Sequence, residues 1–493
     1  MPLHSPLPAQ PGGLVYPPSF PALYDFQKKA VAHLVRPNVH GLILAYSTGN
    51  GKTRTAVAAA LMSGLRVLVV TPKSLVNNFK DTLKRDFNHD GDGWSFLTYE
   101  EFAKAWRNDQ ELARNAFLIM DEAHKLRTSI FEACRRCLRQ MHSTQEINEK
   151  RLEKCLSALQ QAQSSEDLVD VIAVLDKCGV DVRPNAPLSL CALAAAGLAR
   201  KVVLLTATPC YNVPEDIVNL VAMVKGLPGA ISLHYARTLV RHAKKEFFAN
   251  VFAFADVAHG DAEFPAVKHE QVILPMTEPY YKEYFRVQTQ QSRLMSLSPM
   301  FYHHVRAACN ALQSDVIRAN PKVQWVLDFI LEHRDLPTMI YSSFKKNGLF
   351  VIQEKLDAYG IPYASVTGDM TTKQRENAVE LYNKGVINVL FVSDAGSEGL
   401  DLKGTRVEIL YETEWNASKT NQAAGRGPRR GSHKHLPADE RAVTIYQLIL
   451  DKPTALDMED EQPLSADRIL HNMTQAKSNE IRPFLSLLRE VSL

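Results

Sequence analysis

The chain has 493 residues, with 57 lysines and arginines against 54 aspartates and glutamates, and a formal net charge of +3. Its hydrophobic content of 45% is that of a folded globular protein, and its length suggests about two to four domains. This charge balance neither requires nor excludes nucleic-acid binding, because such binding depends on local clusters of basic residues. The seven cysteines are irregularly spaced, which argues against a disulfide framework and favours a reducing compartment.

In chain order, residues 1–19 are rich in proline and glycine and are predicted to be a disordered leader. They lack the charged start and apolar centre of a secretory signal, so the protein is not expected to be secreted. No later apolar run approaches the roughly 18 residues that indicate a membrane span. We therefore expect a soluble protein without membrane contact.

Two segments alternate short apolar runs with helical stretches. Residues 20–227 contain GLILAY, RVLVV, AFLIM and KVVLL, and residues 323–450 contain TMIYS, NVLFVS and VEILYE. Such runs, each followed by a turn and a helix, are typical of a parallel sheet with helices on both faces. The sequence therefore predicts an α/β fold of two parallel-sheet domains in tandem.

The remaining segments are predicted from composition. Residues 128–200 have helical spacing and are predicted to be a helical insertion in the first domain. Residues 228–322, with clustered aromatic and basic residues, are expected to form a small bridging region. Residues 451–493 open with an acidic linker and close with an amphipathic helix, Ser465 to Val491.

The segment STGNGKT (Ser47–Thr53), called the phosphate loop below, follows the apolar run GLILAY. Glycines let backbone N–H groups turn toward phosphates at the start of a helix, where the helix dipole favours anions. Lys52 can then reach the β- and γ-phosphates, and the Thr53 hydroxyl can bind Mg²⁺. Tyr46 replaces the first glycine of the longer GxxxxGK[ST] pattern, so the match is to its core only.

Two further strand ends carry polar residues. Asp121 and Glu122 follow AFLIM, where Asp121 can hold Mg²⁺ through water and Glu122 can orient and deprotonate an attacking water. Taken alone, this carboxylate pair could also be a solvated turn. Thr206 and Thr208 follow KVVLL and can link the carboxylates to a moving element by hydrogen bonds.

The late segment QAAGRGPRR contains Gln422, Arg426 and Arg429 in the pattern QxxGRxxR. Arginines at this spacing can offset the charge on a γ-phosphoryl group during its transfer. The other interpretation is a basic helix face in solvent or against DNA. With the phosphate loop, this segment would complete a nucleotide site built from two distant parts of the chain.

The ordered set YDFQ, STGNGKT, VVTPKSL, DEAH, LTATP, IYSSF, VTGD, SDAGSEGLDL and QAAGRGPR resembles superfamily 2 helicases and translocases, over about residues 20–490. This resemblance implies two RecA-like domains, with Gln27 at the adenine edge. It places Asp394, Gly399 and Asp401 near the ribose and the interdomain cleft. It also implies contacts to the nucleic-acid backbone, from Thr71, Lys73, Ser342, Ser343, Thr367 and Gly368.

A narrower resemblance rests on GRGPRRGSHKHLP and the closing helix. Both are similar to the ATPases of nucleocytoplasmic large DNA viruses, a group that includes poxvirus nucleoside triphosphatase I and the early transcription factor small subunit. This implies a translocase on double-stranded DNA, with a viral RNA polymerase or transcription factor subunit as partner. It implies the virion and the cytoplasm of the infected cell as location.

The expected cofactors are ATP and Mg²⁺. The alternatives to a DNA translocase are a strand-separating RNA or DNA helicase and a weakly hydrolysing scaffold subunit. The candidate catalytic residues are Lys52, Asp121, Glu122, Gln422, Arg426 and Arg429. The candidate nucleotide-binding residues are Gln27, Ser47, Thr48, Gly49, Asn50, Gly51, Lys52, Thr53, Gly399 and Asp401, and the candidate metal ligands are Thr53 and Asp121.

Cys134 and Cys137 form a lone CxxC in the predicted insertion. Their helical spacing and the lack of a second CxxC favour buried cysteines over zinc ligands. Arg135, Arg136 and Arg139 beside them could contact phosphate or a polymerase, or could form a solvated helix face.

Overall fold

The computed structural model describes residues 15–127, 129–210, 213–255, 263–294, 299–312, 320–397, 400–415, 417–454 and 464–493. The chain divides into two compact units. The first unit comprises Met1–Asp256 and Asn479–Leu493, and the second comprises Val257–Ser478. The segment 228–322 is thus shared between them, because its first part belongs to the first unit and its remainder to the second.

The first unit is built on a six-stranded parallel sheet with the order β3-β2-β4-β6-β1-β8. A separate antiparallel pair joins β5 to β7. The strands are β1 (Gly41–Tyr46), β2 (Val67–Val70), β3 (Trp94–Leu97), β4 (Phe117–Asp121), β5 (Leu168–Val169), β6 (Lys201–Leu205), β7 (Ala230–Ile231) and β8 (Phe252–Ala255).

The helices of the first unit cover both faces of this sheet. They are α1 (Asp25–Leu34), α2 (Lys52–Ser63), α3 (Val76–Asp81), α4 (Tyr99–Asn108), α5 (Ile130–Ser143), α6 (Glu149–Gln163), α7 (Val171–Lys177), α8 (Leu188–Leu198), α9 (Val218–Lys225), α10 (Leu233–Arg241) and α11 (Lys245–Phe248). Helices α5 to α8 lie between β4 and β6, where the sequence predicts the insertion.

The first sheet is buried on both faces, which explains why its strands are continuous apolar runs rather than alternating ones. All six residues of β1 are buried. Leu42, Leu44 and Tyr46 pack in a cluster with residues of α1 and α2, while Ile43 packs in the opposite cluster with residues of α4, α8 and α9. This two-sided core fixes β1 and therefore the position of the phosphate loop that follows it.

The second unit is also built on a six-stranded parallel sheet, with the order β11-β12-β10-β13-β14-β9. The strands are β9 (Ala266–Pro275), β10 (Thr338–Ser342), β11 (Tyr363–Val366), β12 (Val389–Ser393), β13 (Val407–Leu410) and β14 (Ala442–Asp451). The helices are α12 (Glu278–Leu294), α13 (Pro299–Asn310), α14 (Pro321–Glu332), α15 (Phe350–Ala358), α16 (Thr372–Asn383), α17 (Asp394–Ser397) and α18 (Ala417–Ala424). The prediction of two RecA-like parallel-sheet domains in tandem is confirmed.

The last helix, α19 (Ala466–Glu490), contributes residues to each unit. In the second unit, Asp467 at its start forms a fully buried ion pair with Lys322, whose Nζ also donates to Asn310 Oδ1 at 3.1 Å. In the first unit, Phe484 near its end packs edge-on against Phe248, with ring centroids 5.2 Å apart. In the described part of the chain, no helix has the length and apolar character needed to cross a membrane.

Candidate active site

The carboxyl ends of four adjacent strands in the first sheet carry the predicted polar residues. The strands β2, β4, β6 and β1 are neighbours in that order, and all run parallel. Thr71 follows β2, Asp121 ends β4, Thr206 follows β6, and the phosphate loop follows β1. Open α/β sheets bind their ligands at this edge. The fold therefore brings together segments that lie far apart in the sequence.

The phosphate loop depends on two glycines in the left-handed region, Gly49 at φ 85° and Gly51 at φ 74°. The loop is fixed to β8, because the Ser47 N–H donates to Ala255 O at 2.9 Å and Asn50 Nδ2 donates to the same oxygen at 3.2 Å. Helix α2 then begins at Lys52, so the loop leads directly into a twelve-residue helix whose N-terminus favours anions.

Lys52 Nζ donates to the carbonyl oxygen of Tyr46 at 3.0 Å, which holds the ammonium group over the loop. Tyr46 is the residue that departs from the longer phosphate-loop pattern. Its side chain is fully buried and packs edge-on against Phe26, with ring centroids 5.2 Å apart. Burial raises the pKa of the Tyr46 hydroxyl. The departure thus adds an aromatic side chain to the core behind the loop and leaves the Gly-Lys-Thr end unchanged.

Gln27 supports the loop from α1. Its Nε2 donates to Gly51 O at 3.3 Å, and its Oε1 accepts from the Tyr24 N–H at 2.9 Å. A Cβ atom at position 51 would lie 2.5 Å from Gln27 Nε2, and the positive φ of Gly51 disfavours any other residue there. The side chain that the resemblance places at the adenine edge is therefore also a support of the phosphate loop.

Asp121 and Glu122 form a sharp turn at the end of β4. Glu122 adopts a left-handed conformation with φ 53°, which is uncommon for a residue other than glycine, and its N–H donates to Asp121 Oδ1 at 2.9 Å. Thr71 Oγ1 donates to Asp121 Oδ2 at 3.4 Å, and His124 Nδ1 lies 3.2 Å from Glu122 Oε2. Strained backbone of this kind often occurs at functional sites.

The turn places charged side chains where little solvent reaches them. Asp121 is only 5% exposed. Burial, and then the neighbouring Glu122 carboxylate, raise the pKa of Asp121 to about 7, while the Lys52 ammonium acts in the opposite direction. The edge thus gathers two carboxylates and one ammonium group. Thr206, which is fully buried, accepts at its Oγ1 from the Thr208 N–H at 3.0 Å and completes the polar edge.

In the second unit, Arg426 and Arg429 lie in the turn that follows α18. Arg426 is 9% exposed. Arg429 Nε donates to Gly425 O at 3.3 Å, and Arg429 Nη1 lies 3.9 Å from Asp401 Oδ1. Burial, and then the Arg426 guanidinium, lower the pKa of Arg429 to about 10, so the Arg429 side chain is a cation at neutral pH. The interpretation as a fully solvated basic helix face does not fit this burial.

Glu408 on β13 supports the arginine turn, and the sequence reasoning did not identify it. Its side chain is fully buried, and Oε1 accepts from the Gly427 N–H at 2.7 Å, between the two arginines. Burial raises the pKa of Glu408 to about 8, against the opposing effect of the Gly427 N–H, Arg426 and Arg429. The signal available was a carboxylate within the apolar run VEIL, which a buried strand accommodates only with a partner.

The viral-type segment GSHKHLP contributes to the same turn. Ser432 Oγ accepts from the Arg429 N–H at 3.1 Å, and the His433 ring lies 2.7 Å from Thr405 O through Nε2. The Tyr382 hydroxyl donates to Thr405 Oγ1 at 3.1 Å. This segment therefore holds the backbone of the arginine turn against the start of β13.

The other predicted nucleotide residues are less constrained. Gln422 lies in α18 and is half-buried. Asp401 is 65% exposed, and Gly399 lies outside the described residues. Asp394 accepts from the Tyr341 hydroxyl at 3.0 Å, which links the end of β12 to β10.

Comparison with known proteins agrees with this architecture. Residues 321–431, which include the arginine turn, match the helicase conserved C-terminal domain. A candidate ATP-dependent RNA helicase of Acanthamoeba polyphaga mimivirus is 26% identical over 486 residues, covering 92% of this chain and 94% of the relative. A termination factor NPH-I homologue of African swine fever virus is 28% identical over 177 residues, covering 33% of this chain and 24% of the relative.

Nucleoside triphosphatase I of Choristoneura fumiferana entomopoxvirus is 31% identical over 108 residues, covering 21% of this chain and 16% of the relative. The chain thus carries a helicase conserved C-terminal domain and is similar to viral helicases and to the NPH-I proteins. It is accordingly an ATP-hydrolysing enzyme. The expected resemblance is confirmed at the level of the superfamily and of its viral branch.

The residues that the helicase resemblance assigns to the nucleic-acid backbone differ in exposure. Thr71 and Ser342 are fully buried, and the Ser342 hydroxyl donates to Glu412 Oε2 at 2.7 Å. Lys73 is exposed, while Thr367 is buried and bonds to Asp369. In this conformation, therefore, Lys73 is available to a phosphate group, whereas Thr71 and Ser342 hold protein partners.

The cysteines of the helical insertion have protein surroundings. Cys134 is fully buried in the core of the first unit, where burial raises the pKa of its thiol to about 12. Cys137 Sγ donates to Asn185 O at 3.0 Å. Among the described residues, no group of three or more histidine, cysteine or acidic side chains is arranged to hold a metal ion. These contacts are those of structural thiols.

Proposed function

We propose that this protein is a nucleic-acid-stimulated ATPase of helicase superfamily 2 that moves along double-stranded DNA in viral transcription, with ATP and Mg²⁺ as cofactors. The observation that carries the proposal is that two groups of residues have the chemistry that a hydrolytic nucleotide site requires. One group lies at the polar edge of the first sheet, and the other is the buried arginine turn of the second unit. A scaffold protein would need neither.

In the proposed reaction, the phosphate loop and Lys52 bind the β- and γ-phosphates of ATP, and Glu122 orients and deprotonates the attacking water. Thr53 and Asp121 would hold Mg²⁺, which offsets negative charge on the phosphates when it is bound. Their hydroxyl and carboxylate oxygens are the hard ligands that Mg²⁺ prefers. The raised pKa of Asp121 fits this assignment, because a nearby cation would stabilise its ionised form.

Arg426 and Arg429 are proposed to offset the charge that develops on the γ-phosphoryl group, with Gln422 beside them. Their burial supports this role, because a preorganised cation with little solvent around it stabilises developing charge more strongly than a solvated one. Hydrolysis removes the γ-phosphate and with it the favourable contact. The nucleotide state would thereby bias two conformations of the enzyme, and repeated cycles would drive stepwise movement.

The preference for duplex DNA and the role in transcription are supported by the related viral proteins. One relative is named a termination factor homologue, and others are named nucleoside triphosphatase I. The GSHKHLP segment, which holds the arginine turn, is the part of the sequence that resembles this group most specifically. A viral RNA polymerase or transcription factor subunit is the proposed partner, in the virion and in the cytoplasm of the infected cell.

A strand-separating RNA helicase is the second candidate. It is favoured by one observation, the similarity of nearly the whole chain to a mimivirus protein named as a candidate RNA helicase. The two proposals differ in the product of the reaction. A translocase displaces a bound obstacle and leaves its duplex paired, whereas a helicase separates the strands.

The deciding experiment follows both products on matched substrates. The first substrate is a DNA duplex carrying a labelled third strand, and the others are labelled DNA and RNA duplexes with single-stranded tails. ATP-dependent release of the third strand from an intact duplex supports the translocase. Separation of the RNA duplex without third-strand release contradicts it and supports the RNA helicase. Glu122→Gln serves as the hydrolysis-deficient control, and turnover that is near zero and unchanged by it would indicate a scaffold.

A further inference from the structure

A cleft of about 740 Å³ lies in the first unit at the amino end of β1. Gly41, the first residue of β1, lines the cleft, whereas the phosphate loop follows Tyr46 at the other end of the same strand. Five steps of about 3.3 Å from Gly41 to Tyr46 separate the two ends of the strand by roughly 17 Å. The cleft is therefore distinct from the nucleotide site.

The wall of the cleft is strongly basic. Its ionisable side chains are Lys29 and His33 of α1, Arg36 in the following turn, His40 before β1, and Lys225 at the end of α9. None of the residues that line it is an aspartate or a glutamate. Three basic side chains and two imidazoles thus line one space, and the negative group that faces them is the α-carboxylate of Leu493, the last residue of the given sequence.

A buried lysine adds to this positive potential. Lys201 Nζ donates to the carbonyl oxygens of Arg36 and Val39, so its ammonium group holds the turn that carries Arg36. Burial, and then Arg200, lower the pKa of Lys201 to about 8. Burial and nearby cations also lower the pKa values of His33 and His40. Neighbouring cations contribute to each of these shifts, so the positive charges of the cluster lie close enough to repel one another.

The cations at the rim are available to a ligand. Lys29 and Arg36 are both exposed, and no acidic side chain in the described ranges forms an ion pair with either of them. Lys28, by contrast, pairs with Asp25 on the same helix at 3.2 Å. The arrangement therefore differs from an ordinary solvated helix face, on which opposite charges alternate.

We propose that this cleft is a second anion site, which binds a ligand with several phosphate groups independently of the nucleotide loop. Lysine, arginine and histidine side chains are the donors that bind phosphate oxyanions. The volume is within the range of about 300–1,000 Å³ for small-molecule sites and exceeds the space that a single phosphate requires. The ligand is either a small oligophosphate or a run of phosphates in a nucleic-acid backbone, because both present the same oxyanions.

The test measures binding, not turnover, and uses inorganic tripolyphosphate in titration calorimetry. The protein used carries Lys52→Ala, because this substitution removes the main phosphate contact of the phosphate loop. If the cleft is an anion site, this variant still binds tripolyphosphate, and adding Arg36→Gln weakens that binding about tenfold or more. Lys28→Gln is the matched control, since it removes the same charge from a neighbouring position and should leave the affinity within about twofold.

A second arm distinguishes the two sources of phosphate. Binding of a 30-base-pair DNA duplex is measured over a range of salt concentrations for the wild type, Arg36→Gln and Lys28→Gln. If the backbone occupies the cleft, Arg36→Gln alone reduces the slope of log K against log salt by about one. If a small oligophosphate occupies it, the slope is unchanged while tripolyphosphate binding is lost. No effect of Arg36→Gln in either arm overturns the proposal.

Discussion

Gly427 lies between Arg426 and Arg429, and the structure leaves no space for a side chain at this position. A Cβ atom there would lie 2.7 Å from Glu408 Oε1 and 2.9 Å from Thr405 Cβ. Glu408 and Thr405 are both fully buried and belong to the second sheet or its immediate start. Gly427→Ala therefore forces the arginine turn, rather than the sheet, to move.

The size of the effect follows from these distances. Carbon atoms pack at about 3.5 Å or more, so the contact to Thr405 requires a displacement of roughly half an ångström. A misplacement of about 1 Å in a positioning element can lower a rate about 10²-fold, which equals about 2.7 kcal/mol. We expect Gly427→Ala to lower kcat for ATP by between ten- and a hundredfold. The KM for ATP should change little, because the phosphate loop belongs to the first unit.

The assay is steady-state ATP hydrolysis at saturating nucleic acid, with thermal unfolding to verify that each variant is folded. Gly197→Ala is the matched control, because a Cβ atom at that position in α8 meets no atom within 4 Å. It should retain wild-type kcat. If Gly427→Ala is folded and its kcat stays within twofold of the wild type, then the close packing of Gly427 does not position the arginines for catalysis, and the prediction is wrong.

Three further predictions concern other buried or charged groups. Because the fold raises the pKa of Glu408 from 4.5 to about 8, its contribution to stability is full below pH 4.5 and is lost as the pH rises to 8. Glu408→Gln should therefore reduce the fall in the free energy of unfolding between pH 4.5 and 8, measured by urea unfolding. An unchanged fall would contradict the raised pKa of Glu408. Lys322→Met leaves the Asp467 carboxylate buried without its ammonium partner and should cost about 3–5 kcal/mol of folding stability. The expected result is a lower urea midpoint in tryptophan fluorescence, and an unchanged midpoint would contradict it. Glu122→Gln should bind ATP as the wild type does in equilibrium titration but lose hydrolysis, and retained turnover would exclude Glu122 as the base.

The strands and the chemistry at their ends could be predicted from the sequence because their signals are local. An apolar run that leads into glycines and Lys52 indicates a strand, a phosphate loop and a helix within about twenty residues. The same applies to Asp121 and Glu122 after β4. In both cases the residues that carry the pattern are also those that form the structure.

The supports of the site could not be predicted, because they join residues distant in the sequence. Glu408 bonds to Gly427, nineteen positions later, and Lys322 pairs with Asp467 of α19. All ten residues of strand β9 pair with β14. Because the residues of β9 are partly exposed, its sequence did not indicate a sheet strand, and the segment was predicted only as part of a bridging region. Pairings of this kind depend on strand order and helix placement, which periodicity does not encode.

The central proposal, that this protein couples ATP hydrolysis to movement on duplex DNA, is tested most directly by steady-state ATP turnover. Rates are compared without nucleic acid and with double-stranded DNA, single-stranded DNA and RNA, using Lys52→Ala as the blank. The account predicts strong stimulation by DNA that is greatest with the duplex and absent from the blank. Stimulation by RNA alone, or none by any nucleic acid, would contradict it.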